Sequence, residues 1–448
     1  MTVSTTTTPD PFLAQVDDFQ ESLELAQPGR LVELRRRARE RYAELGIPST
    51  RLEAWRFTNV APIARGSFAL TDGYEEVAPE AIERYRYPEC LQIALVNGRF
   101  APELSDIDGL PEGVVVMGLA EALELRPEEV DEHLGRHARF EEQHFVALNT
   151  AFLRDGVYIR VPRGTVIEQP VNLLMIGRPG SVEDDTAAFF PRILIVAEES
   201  SQLSLVEQYV SLGDGPYLSV PVTEVVVGPN AVVDHYKLER ESLEALQLST
   251  LAVWQDRSSN FSSHSISWGG AIVRNDVHAI LDGEGCEATL NGLYMVEHEQ
   301  LVDNNMRVEH AKPHCDSHEL YKGILEGRAR AVFTGRIYVH EGAQKTDAKQ
   351  TNRNLLLSPQ ALCNSHPQLE IFADDVRCTH GSTVGQLDEN AIFYLRSRGI
   401  GEEAAKSLLT YAFASDVVGR VKIDSVRRDL EEFLFRRLPK GDIVRQAV

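Results

Sequence analysis

The sequence predicts a mixed, mainly β protein whose core is a β-solenoid held between an N-terminal and a C-terminal helical region. Three observations carry this. Short β-branched runs follow one another from Val157 to Val376 with almost nothing of helical spacing among them. Helical spacing is confined to the two ends. Polar rows such as EGAQKTDAKQTNRNLLLS (341–358) place Asn, Gln and Thr where stacked coils form side-chain ladders. A sandwich or a barrel also accommodates short strands, and no exact repeat period emerges from the sequence.

In chain order, MTVSTTTTPDPF has neither a basic segment nor an apolar run, and residues 1–16 are expected to be disordered. Residues 17–154 are expected to form a helix-rich domain: LVELRRRARERYAELG carries apolar or long side chains at helical spacing and stops at Gly46, with Pro48 beyond. Residues 155–386 hold VYIRV, VNLLMIG, RILIVAEE, QLSLVEQYV, TEVVVG and AVVDHYKL, separated by turns such as GPN and GEG. From residue 387 to 448 helices return. Asp388 is a candidate N-cap for ENAIFYLRSR and Gly399 its stop. Broad apolar stripes through Leu408, Leu409, Phe413, Val417, Leu430, Phe433 and Leu434 exceed what three short helices can hide among themselves. They serve either to pack on the β region or to dock a partner.

Composition narrows the function classes. Against 45 Lys and Arg stand 68 Asp and Glu, a net charge of -23 that repels phosphate backbones and anionic lipid. No nucleic-acid role and no membrane span are expected, since no run approaches the ~18 apolar residues a span requires. Cys90, Cys286, Cys315, Cys363 and Cys378 are odd in number and scattered, which fits a reducing cytoplasm. No Walker A loop, nucleophile elbow or H-E-x-x-H helix occurs, so no bound nucleotide of its own is expected and any energy input must come from a partner.

Two groups of residues could bind metal. Cys378 and His380, two apart on a strand, project from one face about 6 to 7 Å apart along the chain. Thiolate and imidazole suit zinc, iron or an iron-sulfur cluster, but two ligands make half a site. The run HAKPHCDSHEL offers His310, His314, Cys315 and His318 as a self-contained zinc site, although a continuous strand turns Cys315 away from His314 and His318. The alternatives are a buried thiol beside a hydrogen-bonded histidine and ordinary turn contacts. Glu370, Asp374 and Asp375 raise the thought of a polysaccharide-active solenoid enzyme, but adjacent strand residues point to opposite faces.

The stretch LEIFADDVRCTHGSTVGQLDENAIFYLRSRGI (369–400) closely resembles the C-terminal signature of the SufB and SufD family of iron-sulfur cluster assembly proteins. The likeness runs back through residues 310–358, and RLEAWRFTNV (51–60) looks like the family's E-x-W-R-x-T element. The resemblance implies a right-handed parallel β-helix and a scaffold subunit that pairs with its homologue and binds the ATPase SufC through its C-terminal helices. It also implies a transient cluster shared with the partner, built with a sulfur donor and passed to recipient apo-proteins. The C-x-H-G-[AS]-T-x-G run, here Cys378, His380, Gly381, Ser382, Thr383 and Gly385, is most like the SufD branch. The SufB branch carries a cysteine where this chain has TNRN (351–354). By this resemblance His380, with Cys378 second, supplies the chain's half of a site at the SufB interface. Tyr411, Phe413, Val417, Leu430, Phe433 and Leu434 become the expected SufC dock, and the isolated chain could pair with itself.

Overall fold

The computed structural model of the protein describes residues 10–23, 29–71, 77–182 and 185–447. Strand exceeds helix, 39% against 27%, and the strands wind into a solenoid of about seven turns with helices at both ends. From Leu246 onward the chain alternates between two sheets, so that consecutive strands never pair while alternate ones do. One sheet runs through Glu287–Val296, Asp316–Leu325 and Asp347–Leu356 to Arg377–Gly385; the other runs through Ile272–Leu281, Leu301–His310 and Arg330–Val339 to Leu362–Ile371. All these neighbours are parallel. Successive strands of one sheet start about 30 residues apart, a period hidden in the sequence because the rows that stack hold unlike residues.

One such row reads Leu205, His235, Ser263, Leu290, Glu319, Gln350 and His380. The lumen is not uniform along its axis: its first strands enclose Val, Ile and Leu, a polar cluster of Glu207, His235 and Lys237 follows, and the last coils admit Glu319, Gln350, Asn352 and Asn354. Large lumenal side chains fit because the opposite or adjacent coil offers no Cβ: one built on Gly335 would lie 2.2 Å from the Gln350 amide nitrogen, and one on Gly292 equally close to the Tyr321 ring.

The N-terminal region interlocks with the solenoid. Leu91–Val96 pairs in parallel with Val171–Gly177, and Val115–Gly118 pairs antiparallel with Gly156–Val161. The helix Gly29–Leu45 ends where expected, at Gly46 with φ +59°. Disorder was expected through residue 16, but a helix occupies Leu13–Leu23 and buries Phe12, Val16 and Phe19 against Phe68, Phe152 and Phe190. Apolar residues at helical spacing win over the Thr-rich start; residues 1–9 lie outside the described residues. The RLEAWRFTNV element straps the second sheet's outer face. Its Trp55 ring lies 3.9 Å from the Arg274 guanidinium, and its Thr58 hydroxyl donates to Asp303, which Arg274 also holds.

The C-terminal helices Glu389–Ser397, Glu402–Val418, Asp424–Arg437 and Gly441–Ala447 follow the last strand. Asp388 caps the first, its carboxylate accepting the Asn390 N–H at 2.9 Å, and Gly399 ends it at φ +89°. The expected ATPase dock is corrected here. Val417, Leu430 and Leu434 are fully buried and Tyr411 nearly so, in a cluster with Val206, Tyr236, Leu238, Ile266 and Leu293 of the solenoid. Phe433 stacks on Trp268 with ring centroids 3.8 Å apart, and Phe413 packs against the Lys322 ammonium. The apolar stripes are consumed inside the chain because each side chain withdrawn from water stabilises the docked helices by about 1.5–3 kcal/mol. The faces left exposed carry other residues, notably Phe393 at 73% and Tyr394 at 57% exposure.

A buried ion pair ties the N-terminal region to the first coils. Arg192 and Glu224, both inaccessible to water, meet at 2.6 Å, and Glu224 also accepts the backbone N–H groups of Gly135, His137 and Ala138. Burial alone would raise the Glu224 pKa, but Arg192 and these three donors hold it below the ordinary value. Replacing one partner strands the other charge in the interior. Glu224→Ala should lower the unfolding free energy by about 3–5 kcal/mol in urea titrations.

Candidate functional site

Both sheets stop at their last strands, Leu362–Ile371 and Arg377–Gly385, and no further strand pairs with either among the described residues. In a parallel ladder alternate residues bond to opposite sides. Because the Arg377 N–H bonds back to Thr346, the even-numbered residues Cys378, His380 and Ser382 turn their N–H and C=O groups to the open side. The Leu362 N–H bonds back to Ala329, so in the other sheet the odd residues face outward, and Pro367 removes one of those donors. Arg377–Gly385 is therefore the better-equipped edge. Apolar Leu362, Phe372 and Val384 stand exposed beside it.

The expected pair lies on this edge. Cys378 packs against Ile337, Val339, Ala343 and Ala348, so its thiol points into the lumen, and burial pushes its pKa up, favouring the protonated thiol. Ser382, four residues on, donates across the lumen to the Ser365 hydroxyl at 2.7 Å. His380 lies between them on the same lumenal face, yet stays exposed because no coil follows. The geometry thus presents a shielded thiol and an open imidazole at one rim, donors that suit iron or zinc once further ligands arrive. On the rim's outer side, His366 stacks on Phe57 of the RLEAWRFTNV element at 5.0 Å.

Behind the rim lies a polar lumen that reasoning from single motifs did not assign. Gln350 is paired in register with His380 and donates to Glu319 at 3.0 Å. Asn352 accepts from Ser365 at 2.8 Å and donates to the Tyr294 hydroxyl at 3.2 Å, so hydrogen bonds run from buried Tyr294 through Asn352 and Ser365 to exposed Ser382. Cys363 also faces this space, its thiol pushed up to about 12 by burial despite a contact with Tyr294. The polar ladder read from residues 341–358 was the available signal.

The other expected metal site does not assemble. Among the described residues no three His, Cys, Asp or Glu side chains converge as metal ligands. His310 is buried and bonds Ser317 at 2.9 Å, Cys315 is buried beside the Gly283 carbonyl, His314 occupies a turn at φ +60°, and His318 points to solvent. Strand alternation sends these four to different faces. Asp374 and Asp375 lie in the exposed turn before the last strand, where Asp375 pairs with Lys345, an arrangement without a paired-carboxylate cleft.

Comparison with known proteins shows the family of the chain. Residues 181–413 match the family described as "SUF system FeS cluster assembly, SufBD core domain", and residues 10–173 match "SufBD protein N-terminal region". The protein belongs to the SufBD family of iron-sulfur cluster assembly proteins. Similar SufBD proteins include the SufBD family protein slr0076 of Synechocystis, 31% identical over 90% of each chain. SufD of Escherichia coli is 30% identical over 88% of this chain and 90% of its own. SufD of Bacillus subtilis is 26% identical over 92% and 95%. No described helix of this SufBD protein is long and apolar enough to cross a membrane.

The lumen carries a measurable cost. Glu319 is wholly enclosed, has one hydrogen-bond donor, and is pushed up to about 7 by burial, from an ordinary value of 4.5. Between those two pH values the folded chain holds a proton that the unfolded chain releases, so stability falls as pH rises through this window and stays lowered above it. Glu319→Gln removes this dependence. The variant should gain on the parent from pH 4.5 to 7 in denaturation experiments, by up to about 3 kcal/mol.

Proposed function

We propose that this SufBD protein is a SufD-type scaffold subunit, non-catalytic by itself, on which nascent iron-sulfur clusters form at an interface with a SufB-type subunit. The observation that carries this reading is the unpaired strand Arg377–Gly385, which presents Cys378 and His380 on the open rim of the solenoid. A strand of the partner would take up the free N–H and C=O groups of the even-numbered residues and cover Val384 and Phe372. His380 would then supply one ligand to the cluster, with Cys378 behind it and the remaining ligands from the partner. The cluster is cargo, assembled with a sulfur donor and released to recipient apo-proteins. A second copy of this chain could use the same edge, which gives an isologous homodimer when the SufB-type partner is absent.

ATP hydrolysis would belong to a SufC-type ABC ATPase, since the chain has no Walker A loop. Its dock would be the exposed helix Glu389–Ser397, where Phe393 and Tyr394 stand out to solvent, rather than the buried stripe of the following helices. The first helix leads directly out of the rim strand, so movement of a bound ATPase would act on the cluster interface through a connection of only a few residues, Gln386–Asp388.

Two variants separate these roles. His380→Ala should leave folding and ATPase co-purification unchanged while lowering iron and labile sulfide in the reconstituted complex by about tenfold or more; an unchanged cluster yield would remove His380 from the site. Phe393→Asp should abolish co-purification of the ATPase with the fold intact, and retention at parental level would move the dock elsewhere.

A further inference from the structure

Gln350 sits one coil below His380, paired with it in register, and both side chains point into the lumen. The amide of Gln350 is buried, and only one of its ends is engaged: Nε2 donates to Glu319 at 3.0 Å, while Oε1 is enclosed without a donor among the described residues. The Nε2 end is the one that Glu319 accepts from, and Gly335 across the lumen leaves the space the whole amide fills, since a Cβ there would lie 2.2 Å from Nε2 and 2.6 Å from Oε1. What remains is a single oriented acceptor beneath the rim.

We infer that Gln350, held by Glu319, is a positioning residue for His380: its Oε1 takes the N–H of one ring nitrogen, so that the other, unprotonated nitrogen faces out of the rim. A histidine that binds metal must present a lone pair, and which nitrogen does so is set by the acceptor that takes the opposite N–H. At an open end with no following coil, His380 has no neighbour of its own chain above it in its row, and the residue below it in register is Gln350. An unpaired buried oxygen also destabilises the fold, and pairing it with the imidazole N–H removes that cost. The terminal coils thus combine a rim donor with an internal group that selects its tautomer. This inference rests on His380 being a cluster ligand, as proposed above.

The test uses the full chain without partner or cluster. With ring-15N-labelled histidine, the His380 resonances, assigned by their loss in His380→Ala, report the tautomer of the neutral ring. The parent should show one dominant tautomer, and Gln350→Leu should turn it into a mixture. Glu319→Gln, which keeps an acceptor for the Gln350 amide, should leave the spectrum unchanged, and Glu319→Leu should shift it toward the mixture. If Gln350→Leu fails to fold, the two Glu319 variants decide the question. In the reconstituted complex Gln350→Leu should lower cluster yield by about tenfold with His380 present. A parental tautomer in Gln350→Leu and Glu319→Leu overturns the positioning role, whatever the cluster yield. A shifted tautomer together with parental cluster yield in His380→Ala shows instead that the positioning is real and the ligand assignment is wrong.

Discussion

Each coil of the solenoid satisfies its backbone by bonding to the coil before it and the coil after it, and the last coil has no successor. That one unfilled half of a hydrogen-bond ladder organises the rest of the molecule. At the other end the N-terminal region solves the problem internally, through Leu91–Val96 in one sheet and Val115–Gly118 in the other. At the C-terminal end nothing among the described residues does so. Exposed strand edges invite pairing with another chain, and proteins ordinarily blunt them. Here one edge is interrupted by Pro367 and the other, bearing Cys378 and His380, is left intact.

The lumen is built to match. The strands Gly156–Val161, Val171–Gly177 and Arg192–Ala197 fill the lumen with aliphatic side chains, and the next coils hold a closed polar cluster of Glu207, His235 and Lys237. The later coils give up apolar packing for Gln350, Asn352, Asn354 and the lone carboxyl of Glu319, with Gly335 and Gly292 cut back to make room. A polar filling tolerates water at an open rim and offers hydrogen bonds to whatever docks there. The apolar surface of the C-terminal helices has the opposite fate: it is withdrawn against Tyr236, Trp268 and Leu293, which fixes those helices to the same sheet that ends at His380.

The sequence made the two helical ends and the strand-rich middle legible, because Gly46, Asp388 and Gly399 mark helix boundaries by local chemistry that tertiary packing does not override. The solenoid was legible only as a tendency, since a row that places Leu290 beside Glu319 and Gln350 has no consensus to detect. Of the site, Cys378 and His380 were visible from their i, i+2 spacing together with the surrounding signature. Gln350 and Glu319 were not, because their relation to His380 spans whole coils and appears only once the register is known. The buried stripe of Tyr411, Val417, Leu430 and Leu434 was visible as apolar surface, but nothing in its spacing distinguishes a face that meets the chain's own sheet from one that meets a partner. The histidines and cysteine of 310–318 were close in sequence and separated in space by strand alternation.

The most direct test of the open edge as the assembly interface is amide hydrogen exchange across Arg377–Gly385, measured on the chain alone and in complex with a SufB-type subunit. Rapid exchange is expected at Cys378, His380 and Ser382 in the isolated chain and strong protection of these three in the complex, with little change at the odd-numbered residues already bonded to the preceding coil. Unchanged exchange along this strand in a complex that still forms clusters would contradict the open edge as the interface.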